Sequence, residues 1–186
     1  MRRNTISLTI VLSSLLMLNG CLGRAISESV GAFRGASGTY VPIRPLSADK
    51  DARPLGEYTK FELGEFTNTI GANAPAELWS YLPSFFEQQI LEHKLPNRPG
   101  KTLILRGTIL HYESAGMVGQ VTGPIEEVVA RVDMVDKDSG SVLAEATVVG
   151  RTTQTVNQGV EKKAAGLAKG LVSWIDKRYP KEGREE

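Results

Sequence analysis

Residues 125–148 hold the feature that restricts this chain most: two runs of alternating apolar and polar residues, back to back. In the first, Val128, Ala130, Val132 and Met134 fall on one side and Glu127, Arg131 and Asp133 on the other. In the second, Val142, Ala144, Ala146 and Val148 repeat the pattern, with Glu145 and, further on, Arg151 opposite. Successive strand residues point to opposite faces, so a period of two predicts antiparallel strands that are dry on one side and wet on the other. Asp136-Lys137-Asp138-Ser139-Gly140 joins them as a tight turn in which Gly140 can take positive φ. Such a ribbon does not stand alone in water. It needs a cover.

Residues 159–178 supply one. Val160, Ala164, Leu167, Ala168, Leu171, Trp174 and Ile175 draw one stripe at the helical period, and Lys162, Lys163, Lys169 and Lys177 are expected on the opposite, solvated side. Gly166 and Gly170 lie beside the stripe. Each costs the helix ~1 kcal/mol relative to Ala, which predicts a close approach to a sheet as the compensating gain. Upstream, residues 102–112 (TLILRGTILHY) read as a long, largely buried strand. Residues 57–66 place Tyr58, Phe61, Leu63 and Phe66 in an imperfect alternation that suits a strand bulged near Gly64. Between these two, Pro75 opens a helix carrying Leu78, Leu82, Phe85, Phe86 and Ile90, with Trp79 extending the stripe. Pro83 predicts a kink or two helical pieces around Tyr81, and Pro96, Pro99 and Gly100 end the segment. The order β-α-β-β-β-α predicts an α+β two-layer sandwich, a mainly antiparallel sheet with both helices on one face.

That body spans 57–180. Residues 21–56 are rich in Gly, Ser, Ala and Pro and read as a tether; the alternative is that 40–46 adds an edge strand, its prolines keeping it out of the sheet interior. Residues 181–186 read as a polar, disordered tail.

Residues 1–20 read as a signal peptide. Arg2 and Arg3 precede an apolar run of about a dozen residues, too short for the ~20 that a membrane span needs. The run closes on Leu18, Asn19, Gly20 and Cys21, and Cys21 is the only cysteine among 186 residues. This ending resembles the bacterial lipobox, in which a Leu stands three before the cysteine and a small residue directly before it; Asn19 is a less usual middle residue. The resemblance implies cleavage before Cys21 and acylation of its thiol and new amino group, and two or more acyl chains hold a protein at a membrane durably. An ordinary secretory signal with a chance cysteine, or a short anchor helix, is the alternative. Lipoproteins kept at the inner membrane carry Asp after the cysteine; Leu22 here points to the outer membrane, facing the periplasm, with a Gram-positive surface as the other option. Loss of Arg2 and Arg3 takes the formal charge from +1 to −1. No basic stripe suggests nucleic acid.

The sequence offers no catalytic residue, metal or cofactor. It has no G-x-S-x-G elbow, and His93 and His111 are its only histidines. Gly116, Met117, Val118, Gly119 and Gln120 match no phosphate-binding spacing and read instead as a loop for partner contact.

From Tyr58 onward, with residues 105–124 (LRGTILHYESAGMVGQVTGP), the Gly107-to-Ile109 strand start and the turn from Asp136 to Leu143, the chain resembles small bacterial periplasmic lipoproteins of unknown function. It resembles more loosely transport-auxiliary lipoproteins and the lipoprotein of the curli-secretion channel. Members often carry an arginine in the Gly-rich segment, where Gln120 stands here. The resemblance implies a lipid-anchored module that binds or assembles an envelope transport or secretion complex and is not an enzyme. An oligomeric ring or pore-forming secretion subunit is the second expectation, and an enzyme of envelope polymers the third.

Overall fold

The structure, a computed structural model, describes residues 35–71, 74–113, 127–152, 159–182 and 184. They form strands β1 (Ala36–Arg44), β2 (Lys60–Asn68), β3 (Thr102–Tyr112), β4 (Glu127–Asp136) and β5 (Val142–Thr152), with helices α1 (Glu77–Glu92) and α2 (Gly159–Asp176). A short 3₁₀ turn, Pro54–Glu57, leads into β2. The strands make one sheet in the order β1-β5-β4-β3-β2. β2 and β3 are parallel, so the chain must cross over between them, and α1 is that crossover. The other three pairings are antiparallel. The layout is the expected α+β two-layer sandwich.

The β4–β5 hairpin carries the core as its alternation requires. Val128, Ala130, Val132 and Met134 stand opposite Gly150, Val148, Ala146 and Ala144, and all are buried. Leu103, Leu105 and Ile109 of β3 continue that face. At the turn, Gly140 has φ 69°, and the Asp136 carboxylate accepts from the Ser139 amide at 2.8 Å and its hydroxyl at 2.9 Å. The expected bulge falls at Gly64 and Glu65, where the β2–β3 register jumps from Leu63↔Leu105 to Phe66↔Gly107. The extra residue returns Phe66 to the core side, and its ring covers Gly107, where a Cβ would lie 2.7 Å from it.

α2 lies over β1, β5 and β4. A Cβ on Gly38 would sit 2.1 Å from the Gly166 carbonyl oxygen and 2.2 Å from the Gly170 nitrogen, and one on Gly150 2.3 Å from the Leu167 nitrogen. Helix and sheet therefore touch backbone to backbone, which explains both helical glycines. α1 packs along α2, and its backbone approaches the sheet chiefly at β2.

The structure departs from the sequence expectations in four places. Residues 36–44, part of the stretch read as a tether, are a fifth strand paired with β5, so the edge-strand alternative holds and the folded body begins near Gly35 and not at 57. The strand is hard to see because Gly38 and Ala36 face the helix where large residues cannot fit, and Pro42 breaks the β-forming pattern. α1 stays one helix through Pro83; Pro83 is exposed, so the ring and the carbonyl that loses its helix donor meet open space instead of the core. Lys163 is buried with its amine 4.5 Å from the Tyr112 ring centre, and Lys169 donates to the Ala36 carbonyl at 3.0 Å. Both lysines flank the glycine contact and reach strands of the sheet, Tyr112 on β3 and Ala36 on β1, because α2 lies so close that its neighbouring positions are drawn in with it. In the expected tail, Arg184 donates to the Asp176 carboxylate at 2.6 Å and to the His93 carbonyl at 3.0 Å.

The glycine contacts decide between two opposed effects. Gly166→Ala raises helix propensity by ~1 kcal/mol, yet its Cβ would stand 2.7 Å from the Ser37 carbonyl oxygen and 2.9 Å from the Arg151 nitrogen. Overpacking against rigid backbone costs about 1–3 kcal/mol, so the variant is expected to lose up to about 2 kcal/mol in urea unfolding. A gain in stability would show that the helix does not sit this close.

Candidate functional site

α1 packs chiefly against α2 and meets the sheet mainly at its outer strand, β2. There the structure has a groove of about 470 Å³ between β2 and α1. Its sheet wall is Lys60, Phe61, Glu62, Leu63, Gly64 and Phe66; its helix wall includes Trp79, Leu82, Pro83, Phe86, Glu87 and Ile90. Those helix positions recur at three- and four-residue spacing, the spacing of one helix face. The Phe66 and Trp79 rings, 6.5 Å apart, mark one end. At the other end Asn97 lines the groove, and the Arg98 amide donates to the Thr59 carbonyl at 3.0 Å. The volume falls in the range of natural ligand clefts, ~300–1,000 Å³, and the walls mix apolar side chains with Lys60, Glu62, Glu87 and Asn97.

Electrostatics along the rim are uneven. Lys60 and Lys137 each reach Glu62 at 2.7 Å, and these ammonium contacts, Lys137 first, hold the Glu62 carboxyl below the usual carboxylate range. Glu87 is exposed on the helix wall with no ion pair among the described residues. Sequence reading found Phe61, Leu63, Trp79 and Leu82 as core candidates. That they are the walls of a gap follows only from where α2 holds α1.

A second polar cluster sits at the β4–β5 turn. Asp136 is buried and accepts from the Tyr58 hydroxyl at 2.8 Å, with Lys101 at 3.4 Å. The Ser139 amide, then the Tyr58 hydroxyl, hold its carboxyl well below the usual carboxylate range. Burial, then the hydrogen bond to Asp136, pushes the Tyr58 phenol up to about 12. The hydrogen bond to Glu57, at 2.8 Å, raises Lys101. An acid–base catalyst works best with a pKa near the working pH; these groups are displaced away from neutrality, so the cluster locks the turn to the entry of β2.

Leu18, Asn19, Gly20 and Cys21 lie outside the described residues, as do Gly116, Met117, Val118, Gly119 and Gln120. His93 is 3.2 Å from Asp176, tying the ends of the two helices, and His111 is exposed on β3. Among the described residues no three His, Cys, Asp or Glu side chains gather as a metal site, and no helix is long and apolar enough to cross a membrane.

No known family pattern and no curated protein matches the chain. Among solved structures it is similar to PelC from Paraburkholderia phytofirmans, a dodecamer seen in two crystal forms. The likeness has a TM-score of 0.50 at 16% identity over 75% of this chain and 97% of PelC. A minor lipoprotein from Acinetobacter baumannii matches with a TM-score of 0.35 at 15% identity, over 64% of this chain and 90% of that one. At this identity the likeness to PelC shows a shared fold.

The Asp136 lock has a pH signature. Its folded-state pKa is depressed, so its contribution to stability is full above the ordinary carboxylate pKa of about 4 and fades as pH falls below it. Asp136→Asn is expected to lower the urea midpoint at pH 7 and to lie closer to the parent at pH 3. A gap of equal width at both pH values would show that the carboxylate charge is not what the turn uses.

Proposed function

We propose that this chain is a lipid-anchored module on the periplasmic face of the outer membrane, serving as an accessory component of an envelope transport or secretion complex. The observation that carries the reading is the leader that ends at the sole cysteine, Leu18-Asn19-Gly20-Cys21, with Leu22 and not Asp after it. The folded body supports it: a fold shared with PelC, an open groove at the sheet edge, and polar clusters among the described residues that tie turns and helix ends together. On this reading the domain works by contact and not by breaking bonds. Its partners are the membrane, through lipid on Cys21, and an envelope protein.

A second reading, that the chain works as an oligomeric ring, is favoured by one observation: the PelC of similar fold is a dodecamer. Mass photometry of the purified chain separates the two, since a ring gives one high-mass species and a single-copy adaptor a monomer.

Alkynyl palmitate fed to expressing cells tests the anchor. The parent chain is expected to take up label and to fractionate with the outer membrane, and Cys21→Ser to lose the label and appear in the soluble periplasm. An unlabelled, soluble parent chain would sink the proposal.

A further inference from the structure

We propose that the groove between β2 and α1 binds an extended segment of a partner envelope protein, about six residues long, laid edge-on along β2 with apolar side chains at alternate positions and a basic residue facing Glu87. The inference rests on the binding-module reading above and gives that reading its contact surface.

The shape of the sheet wall makes the first argument. Alternate residues of a strand point to opposite faces, so a cavity on one face of a sheet meets every second residue. This groove meets Lys60, Phe61, Glu62, Leu63 and Gly64 in succession. It therefore reaches β2 from the side, along the backbone. β2 is an outer strand with β3 on its other side. Among the described residues no backbone group pairs with the outer side of 61–68; the Arg98-to-Thr59 hydrogen bond closes that edge only at its start. The wall is a row of amide donors and carbonyl acceptors.

The helix wall adds to it. Pro83 has no N–H, so the Trp79 carbonyl four residues earlier lacks its helical donor, and both residues line the groove.

These groups select the occupant. A simple acyl chain would match Phe61, Leu63, Leu82, Phe86 and Ile90, but it would strip water from the backbone row and return no hydrogen bond, which is unfavourable for each group so covered. An extended polypeptide satisfies the row with its own backbone and sends alternate side chains into the apolar trough, as in other strand additions to a sheet edge. Residues 60–66 rise by roughly 20 Å at ~3.3 Å per residue, the length of about six extended residues. The bulge at Gly64 and Glu65 confines ladder pairing to the stretch before it. Beyond it the incoming side chains meet the Phe66 and Trp79 rings. Glu62 is already held by two lysines, whereas Glu87 has no ion pair among the described residues, so a basic residue is the charge complement. The opposite edge of a second copy fits less well, because Pro42 removes a donor from β1.

The test uses the purified full chain in lipid nanodiscs, so that no detergent tail competes. The probes are fluorescein-labelled hexapeptides alternating Val, Ile or Phe with Lys or Thr, read by anisotropy. Saturable binding is expected, weakened about tenfold or more when alternate amides are N-methylated, since each lost pair of backbone hydrogen bonds weakens binding by about that factor. Leu82→Arg is expected to abolish it. Glu87→Lys, at an exposed position that leaves the core intact, is expected to reverse the preference from Lys-bearing to Glu-bearing peptides. No saturable binding, or equal binding of N-methylated peptides, overturns the proposal. So does saturable binding of dodecanoic acid, lost in Leu82→Arg, with no peptide binding, which assigns the groove to an acyl chain, or loss of self-association in Leu82→Arg without peptide binding, which assigns it to a second copy. An unchanged preference in Glu87→Lys overturns the charge assignment. None of these readouts depends on Cys21, so a failure here leaves the palmitate result standing, and an unlipidated chain that binds the peptides overturns the anchor and not the groove.

Discussion

The contact on which the architecture depends is the one without side chains. Gly38 of β1 and Gly150 of β5 face Gly166 and Gly170 of α2, and the backbones approach so closely that no methyl group fits between them. Four residues that weaken strand or helix locally are placed where they let two backbones meet. Around that contact, Leu167, Leu171, Trp174 and Ile175 are almost wholly buried, and each large apolar side chain removed from water adds roughly 1.5–3 kcal/mol. Tyr40 stacks on Trp174 with ring centres 6.0 Å apart, joining β1 to the helix beyond the glycines. The weak local preference of β1 is offset by what it touches.

Seating α2 so deeply on one half of the sheet determines what happens on the other half. α2 covers β1, β5 and β4, and α1 packs against α2. A sheet this wide needs either a third cover or a gap at one side, and here the gap falls beside β2. Leu63, Phe66 and Trp79 are only half-buried as a result, although their neighbours Phe61, Leu82 and Phe86 are core residues. The groove is thus a consequence of the glycine contact at the opposite edge, and the bulge at Gly64 keeps Phe66 turned toward it.

This chain of causes also explains what could be read from its residues alone. The β4–β5 hairpin, the Asp136-to-Gly140 turn, the bulge and the small-residue side of α2 are local patterns, each written in residues close together, and all are present in the fold. β1 showed only as the alternative of an edge strand over 40–46, and its first half not at all, because its pattern is set by a partner more than a hundred residues away: Gly38 is needed only because Gly166 and Gly170 are there. Lys163 escaped it for a similar reason. A lysine opposite the main stripe looks solvated until the close seating of α2 brings it over the sheet, where its amine rests on Tyr112 of β3. The groove is the furthest from the sequence, since it is a space between elements, and no spacing within β2 or α1 reports how far apart they stand.

The two open edges of the sheet are not equivalent. At β1, Val41 and Ile43 are 62% and 50% exposed, an invitation to pairing, but Pro42 between them withholds an amide and an irregular register follows it. The outer face between the edges carries Arg106 with Asp133, Arg131 with Glu145 and Arg151 with Glu127. Exposed pairs of this kind contribute only ~0–1 kcal/mol each, so their main effect is to keep that face wet and unpartnered. Proline blunts one edge and charge occupies the open face. At β2, by contrast, Lys60 to Leu63 offer an uninterrupted stretch of backbone flanked by an apolar helix wall. Edges that natural sheets leave unprotected tend to attract other chains, and among the described residues β2 beside the groove carries neither the proline that blunts β1 nor the ion pairs of the open face.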